Sequence, residues 1–265
     1  MNDNLLEISQ DGDLLWVTLN DPARANALSP DLVEALTDLY GSDLRARGVR
    51  AVLLGANGKH FSAGADLAHL GTLLEAGPEE NRADSERLRD LFESVLRQEA
   101  LTVAMVQGAC VAGGCGLATA HDFIVATESS RFLYSEARIG FVAALVATYL
   151  PLRMRGSDIR EMLLNPEFVT APHALDKGLV NRIVGEEELR QSAKQLVIGI
   201  LEKASSESIA RTKRTLLEVL GRPLGEALER AAIANSSARA TDDCKHGIST
   251  FLATKSPPSW RDPDD

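Results

Sequence analysis

The chain has 265 residues, 45% hydrophobic and 25% charged, enough apolar material for one large domain or a domain with an appendage. A formal net charge of -10 argues against a nucleic-acid or anionic-membrane surface, each of which needs a basic patch, and leaves small-molecule chemistry as the expectation. No N-terminal apolar segment has the form of a signal peptide and no apolar run is long enough to span a bilayer, so a cytoplasmic protein is expected.

Leu5 to Ser9 and Leu14 to Leu19 are apolar-rich runs on either side of Gln10-Asp11-Gly12-Asp13, whose Asp-Gly pair predicts a hairpin. Ser29-Pro30 reads as an N-cap with proline at the first helical position. It opens a helix to about Arg47 with Leu32, Ala35, Leu36 and Leu39 on one face. Ala51 to Leu54 is a short apolar strand ended by Gly55, Asn57 and Gly58. The turn Lys59-His60-Phe61-Ser62-Ala63-Gly64-Ala65-Asp66-Leu67 then opens another helix. Glycine and small neighbours there let a ligand approach the backbone closely. Asp66 reads first as an N-cap and only second as a catalytic acid.

Gly71 to Asn81, rich in Gly, Pro and Glu, reads as a mobile surface loop, and Arg82 to Glu99 as a helix burying Leu88, Leu91, Phe92, Val95 and Leu96. The strand Thr102 to Val106 enters VQGACVAGGCGL, Val106 to Leu117, where paired glycines open a helix. Short strands at Phe123 to Ala126 and Arg131 to Tyr134 lead to SEARIG, Ser135 to Gly140, which delivers one acid, Glu136, into an otherwise apolar setting. Backbone N–H groups exposed by glycine at a helix start, with a single acid nearby, suit a developing negative charge. Packing between strand and helix explains the glycines as well, and a salt bridge to Arg138 or Arg131 would explain Glu136.

Successive strand, glycine-turn and helix units predict parallel strands joined by helices. Gly178 fits a helix C-cap before a strand at Leu179 to Val184. Beyond Gly185 strand signals vanish: Glu186 to Lys203, Ser206 to Leu220, Leu224 to Ser237 and Arg239 to Ala253 have helical periodicity. The expected division is a core over 1–185, a helical module over 186–255 and a loose tail over 256–265. The cysteines, Cys110, Cys115 and Cys244, are 3 in number and lack metal-type spacing, so neither a disulfide framework nor a metal site is expected.

The ordered motifs LNDPARANALS, GKHFSAGADL, VQGACVAGGCGLATAHDFIVA, FLYSEARIG and ALDKGLVNRIV resemble the crotonase superfamily, the enoyl-CoA hydratase/isomerase family. The resemblance covers most of Leu5 to Val184. It implies an α/β fold, a spiral of ββα units, with a C-terminal helical module supporting a homotrimer or dimer of trimers. It also implies an acyl-CoA thioester substrate whose enolate is held by two backbone N–H groups, with no cofactor beyond the substrate's own coenzyme A.

Position by position, the donors fall at Ala65 and Gly113, beside Gly64 and Gly114. Ala25 and Ala27, with Ala63, Asp66 and Leu67, match the stretches lining the substrate, and Arg24 is available to a CoA phosphate. Phe251 and Lys255 sit where the family's last helix offers an aromatic and a base to CoA on a neighbouring subunit. An ordinary solvated cation is the competing reading for Arg24 and Lys255.

Hydratases of this family use two glutamates around one water. The second matches Glu136; the first falls on Gly116, so that acid is missing. The Pro-Gly-rich segment after Gly140 is replaced by Phe141-Val142-Ala143-Ala144-Leu145. Glu136 sunk among Phe132, Ile139 and Phe141 would have its pKa raised toward neutrality. His69 and Asp66 are outside candidates for the missing acid or base, and His121 is given no role.

The resemblance implies an enoyl-CoA hydratase first, including one for branched esters such as methylglutaconyl-CoA. A Δ3,Δ2-enoyl-CoA isomerase with a single proton shuttle comes second, and a non-catalytic acyl-CoA-binding protein third.

Overall fold

The computed structural model describes residues 5–261. The hairpin is formed by β1 (Leu6–Asp11) and β2 (Leu14–Leu19), paired antiparallel about Gly12, which has a left-handed φ of 58°. The chain then winds as repeated strand and helix turns: α1 (Pro30–Gly41), β3 (Ala51–Ala56), α2 (Leu67–Thr72), α3 (Pro78–Arg97), β4 (Leu101–Val106), β5 (Ala109–Val111), α4 (Gly113–Ala120), β6 (Phe123–Thr127) and β7 (Arg131–Leu133). After α5 (Ala144–Ala147) and α6 (Gly156–Leu164) come β8 (Val169–Thr170), α7 (Ala171–Asp176) and β9 (Arg182–Val184). Four helices follow: α8 (Leu189–Leu201), α9 (Ser206–Val219), α10 (Leu224–Arg239) and α11 (Asp242–Thr254).

Two sheets result. The larger has the order β1-β2-β3-β4-β6-β9 and is parallel from β2 onward; the smaller has the order β5-β7-β8. The inner strands of the larger sheet are covered on both faces, so they read as continuous apolar runs such as LTVAMV, buried throughout, whereas the edge strand β1 is largely exposed. The side-chain period of two still sorts them. Leu15, Val17 and Leu19 join the core with α1, α3 and α4, while Leu14 and Trp16 face Ala193, Leu196, Val197 and Leu201 of α8.

The structure departs from several local expectations. The first helix stops at Gly41, where the Ser42 amide bonds Leu39 O, and a separate 3-10 turn spans Arg45–Arg47. The presumed loop over 71–81 is largely helical: α2 runs to Thr72, a 3-10 turn covers Leu73–Glu75, and Pro78 starts α3. Proline there serves as a helix-starting residue rather than a loop signal. The strands β5 and β8 are too short to leave a periodic signature.

The stretch expected as a loose tail is anchored as far as it is described. The Trp260 amide donates to Glu202 O (3.1 Å), its ring stands edge-on to His246, and Arg261 makes two hydrogen bonds, 3.0 and 3.1 Å, to Asp13. Residues 262–265 of that stretch lie outside the described residues.

Candidate active site

Three chain segments run side by side and parallel: Ser62 bridges Cys110, and Val111 of β5 lies opposite Leu133 of β7. The Val111 amide donates to Ser62 O (2.9 Å) and the Ala112 amide to Leu133 O (2.7 Å). Parallel neighbours end on the same side, so the residues just beyond them lie at one end of the smaller sheet. Those residues are Ala65, Gly113 and Glu136. The sequence motifs, far apart along the chain, are brought together by this register.

The first two segments touch through glycine. Gly64 has a φ of +87°, and a Cβ there would lie 2.6 Å from Val111 O, 2.9 Å from Ala112 Cβ and 3.2 Å from Gly113 N. A Cβ on Gly113 would lie 3.9 Å from Ala65 N. Among the hydrogen bonds of the described residues, neither the Ala65 nor the Gly113 amide donates to a protein acceptor. Two backbone donors are thus held close together and unengaged, one at the first residue of a helix, where the dipole favours an anion.

Ala112, at φ 48° and ψ -121°, is the strained residue that turns the strand into α4. It is held from both sides, its amide by Leu133 O and its carbonyl by the Gly116 amide (3.0 Å). At the far end of α4, Arg153 donates to the carbonyls of Thr119 (3.1 Å), Asp122 (2.8 Å) and His121. Burial pulls its pKa down to about 10, which leaves it charged at neutral pH on the negative end of the helix.

Glu136 begins the 3-10 turn Glu136–Ile139, and its Oε2 is buried with no hydrogen-bond partner. Burial raises its pKa above the ordinary glutamate value, as the sequence led us to expect, but the expected neighbours are only partly right. Phe132 is fully buried, whereas Ile139 and Phe141 are 69% and 60% exposed, because the chain leaves the core after the turn. The salt-bridge alternative does not form: Arg131 stacks on the Phe168 ring at 4.5 Å, and Arg138 Nε donates to Pro166 O (2.8 Å).

At Gly116 the sequence shows an absence, and the structure shows what fills it. A Cβ there would lie 2.6 Å from Phe92 Cζ and 3.0 Å from Val146 Cγ1. Phe92 packs edge-on against Tyr149, with centroids 5.9 Å apart, and the Tyr149 hydroxyl donates to Gly116 O (2.9 Å). The surroundings of Gly116 are therefore apolar and aromatic. Phe92 was legible only as part of a buried helix face; its place against Gly116 carried no sequence signal.

The expected binding residues divide. Ala25 and Ala27 belong to a segment that clamps the first turn: the Ala63 amide donates to Ala25 O (2.9 Å) and the Leu28 amide to Gly64 O (2.7 Å). Gly114 is a packing requirement, since a Cβ would come within 2.7 Å of Ser62. Asp66 caps α2, accepting from Ala68 N (2.9 Å) and His69 N (3.4 Å). Arg24, half exposed, is not a lone cation: it pairs with Asp21 (2.6 Å) and Asp66 (2.9 Å). Leu67 is exposed at the start of α2. Phe251 and Lys255 lie at the exposed end of α11, a helix with no buried residue whose main neighbours are α9 and α10.

The histidines near the motifs each have a hydrogen-bond partner. The Ala109 amide donates to His60 Nδ1 (3.1 Å), and His69 Nε2 meets Asp84 (2.8 Å). His121 lies between Tyr40 Oη (2.7 Å) and Leu117 O (2.9 Å), and burial lowers its pKa to about 4, so it is neutral. No group of three or more His, Cys, Asp or Glu among the described residues could hold a metal ion.

The profile described as enoyl-CoA hydratase/isomerase matches residues 10–263. A Thermus thermophilus protein named "Putative enoyl-CoA hydratase" is 42% identical over 250 residues, 93% of this chain and 97% of that one. An Arabidopsis thaliana peroxisomal Delta(3,5)-Delta(2,4)-dienoyl-CoA isomerase is 27% identical, covering 96% of this chain and 95% of its own. The crystal structure of a Mycobacterium smegmatis enoyl-CoA hydratase superimposes with a TM-score of 0.87 at 30% identity, over 97% of this chain and 98% of that one.

Proposed function

The chain belongs to the enoyl-CoA hydratase/isomerase family, and from that premise we propose that it is an enoyl-CoA hydratase with a single acid–base. The carbonyl oxygen of an acyl-CoA thioester would sit between the Ala65 and Gly113 amides, which take up the charge of the enolate. Each such donor contributes on the order of 3 kcal/mol of transition-state stabilisation. Glu136 would take a proton from water attacking C3 and return one to C2. The observation that carries the reading is the pairing of two unengaged amides with a half-buried carboxyl whose inner Oε2 has no hydrogen-bond partner, at one end of the smaller sheet. The hydratase names of the Thermus and Mycobacterium relatives support water addition.

One observation favours a second reading. Phe92 and Val146 fill the space beside Gly116, so no second acid helps to hold a water, and a Δ3,Δ2-isomerase needs only one base to move a proton between C2 and C4. Crotonyl-CoA and a 3-enoyl-CoA, offered separately, distinguish them by the absorbance of the conjugated thioester. Loss of conjugation from the first marks a hydratase, and gain from the second an isomerase. Silence toward both with acyl-CoA binding retained would leave the non-catalytic reading.

The reading requires no cofactor other than the coenzyme A of its substrate, and the compartment we assign is the cytoplasm. A homotrimer or dimer of trimers is part of it. Leu224, Leu228, Ile233, Ile248 and Leu252 are exposed on α10 and α11, apolar side chains that a subunit contact would cover. Sedimentation at micromolar concentration tests this, and a monomer would contradict it.

A further inference from the structure

The turn that carries Ala65 is suspended from the segment before α1. The Ala63 amide bonds Ala25 O, the Leu28 amide bonds Gly64 O, the Ser62 hydroxyl donates to Asn26 O (2.8 Å), and a further attachment is ionic: Arg24 Nη1 donates to Asp66 Oδ2 at 2.9 Å. Arg24 is in turn fixed by Asp21 Oδ2, 2.7 Å from its Nε and 2.6 Å from its Nη2. The segment is itself under strain, with Ala25 and Asn26 at left-handed φ values of 50° and 52°. Such backbone persists only where its surroundings over-determine it. The fully buried Asn26 does this, accepting from the Asp21 amide (2.8 Å) and donating to Asn57 O and His60 O (3.0 Å each).

Resting on the enolate-stabilising reading above, we propose that Arg24 is a positioning residue that holds the Ala65 amide in place through Asp66, rather than an anchor for a CoA phosphate. The local charge supports this. One guanidinium faces two carboxylates whose side chains are each only 11% exposed, so the cluster is net negative and a phosphate would have to compete with both. The geometry also places the effect. Asp66 Oδ1 caps α2 while Oδ2 holds Arg24, so the residue directly after Ala65 is fixed on two sides. Without Arg24, Asp21 and Asp66 lose the cation between them and the turn loses its lateral tie. A misplacement of about 1 Å in a catalytic group can cost on the order of 100-fold in rate.

The test uses Arg24→Ala and Asp66→Asn in the full chain, with the crotonyl and 3-enoyl groups offered both as the CoA ester and as the pantetheine ester, which lacks the nucleotide phosphates. Positioning predicts that Arg24→Ala lowers kcat by about 10- to 100-fold on both esters while the Kd for the CoA ester changes less than about threefold. Asp66→Asn, which keeps the cap oxygen but removes the charge, should combine with Arg24→Ala non-additively. A loss confined to KM for the CoA ester and absent with the pantetheine ester would overturn the proposal in favour of a phosphate anchor. Unchanged kcat would overturn it outright. Amide hydrogen exchange over residues 63–70 provides the arm that needs no turnover: Arg24→Ala should speed it, and no change refutes the tie. Wild-type silence on every enoyl ester would count against the proposed reaction, while the exchange arm would still decide the role of Arg24.

Discussion

Replacing Gly64 by alanine tests the two-donor geometry most directly. Alanine at φ +87° costs about 1–2 kcal/mol for its backbone alone. The added methyl would sit 2.6 Å from Val111 O and 3.2 Å from Gly113 N, both backbone atoms, and relieving such overpacking costs about 1–3 kcal/mol more. The sum, about 2–5 kcal/mol, corresponds to a Tm lower by about 4–20 °C for a chain of this size. Because the obstruction lies between the two turns, relaxation separates the Ala65 and Gly113 amides. kcat should then fall by about 10²- to 10³-fold, the effect of losing one oxyanion donor. Gly199→Ala in α8, where an added Cβ meets nothing within 4 Å, is the control and should gain up to about 1 kcal/mol from helix propensity. Thermal melts and steady-state turnover on the same preparations give both readings. A Gly64→Ala protein within 2 °C and twofold of wild type, on the order of experimental error against the shifts above, would refute the reasoning.

Glu136→Gln should abolish turnover while raising stability at neutral pH. The folded carboxyl has a pKa above the ordinary 4.5, so below 4.5 both states hold the proton and the variant matches wild type. Between 4.5 and the higher folded value only the unfolded wild type ionises, so the gap opens there and holds at higher pH, and a gap in Tm that narrowed with rising pH would contradict the assignment. If Glu136 is the base, the acid limb of kcat/KM has its midpoint above 4.5, and a lower midpoint would point to another group. Gly116→Glu should destabilise the fold by a few kcal/mol, about what burying an unpaired acid costs. Combined with Phe92→Ala, which clears the atom 2.6 Å away, its effect should fall short of additivity by about 1 kcal/mol or more in denaturant melts. Arg261→Ala should cost about 3 kcal/mol, because Asp13, 4% exposed, loses one of its buried partners; unchanged stability would restore the loose tail.

Much of this protein was legible because its signals are local. The hairpin at Asp11-Gly12, the Ser29 cap and the Asp66 cap each rest on hydrogen bonds between residues two or three apart, and each forms as expected. The ordered glycine motifs likewise point to the family, because a backbone donor next to a glycine that accepts no Cβ leaves a mark in sequence. Side-chain neighbours across the spiral leave none. That Arg24 answers to Asp66 across 42 positions, that Ile139 and Phe141 turn outward, and that Phe92 occupies the space beside Gly116 depend on how distant segments pack. Sequence by itself placed glycine turns at Gly64 and Gly113 and a lone acid at Glu136. Tertiary packing decided that the space beside Gly116 is filled by an aromatic ring, since only the folded chain brings α3 against α4.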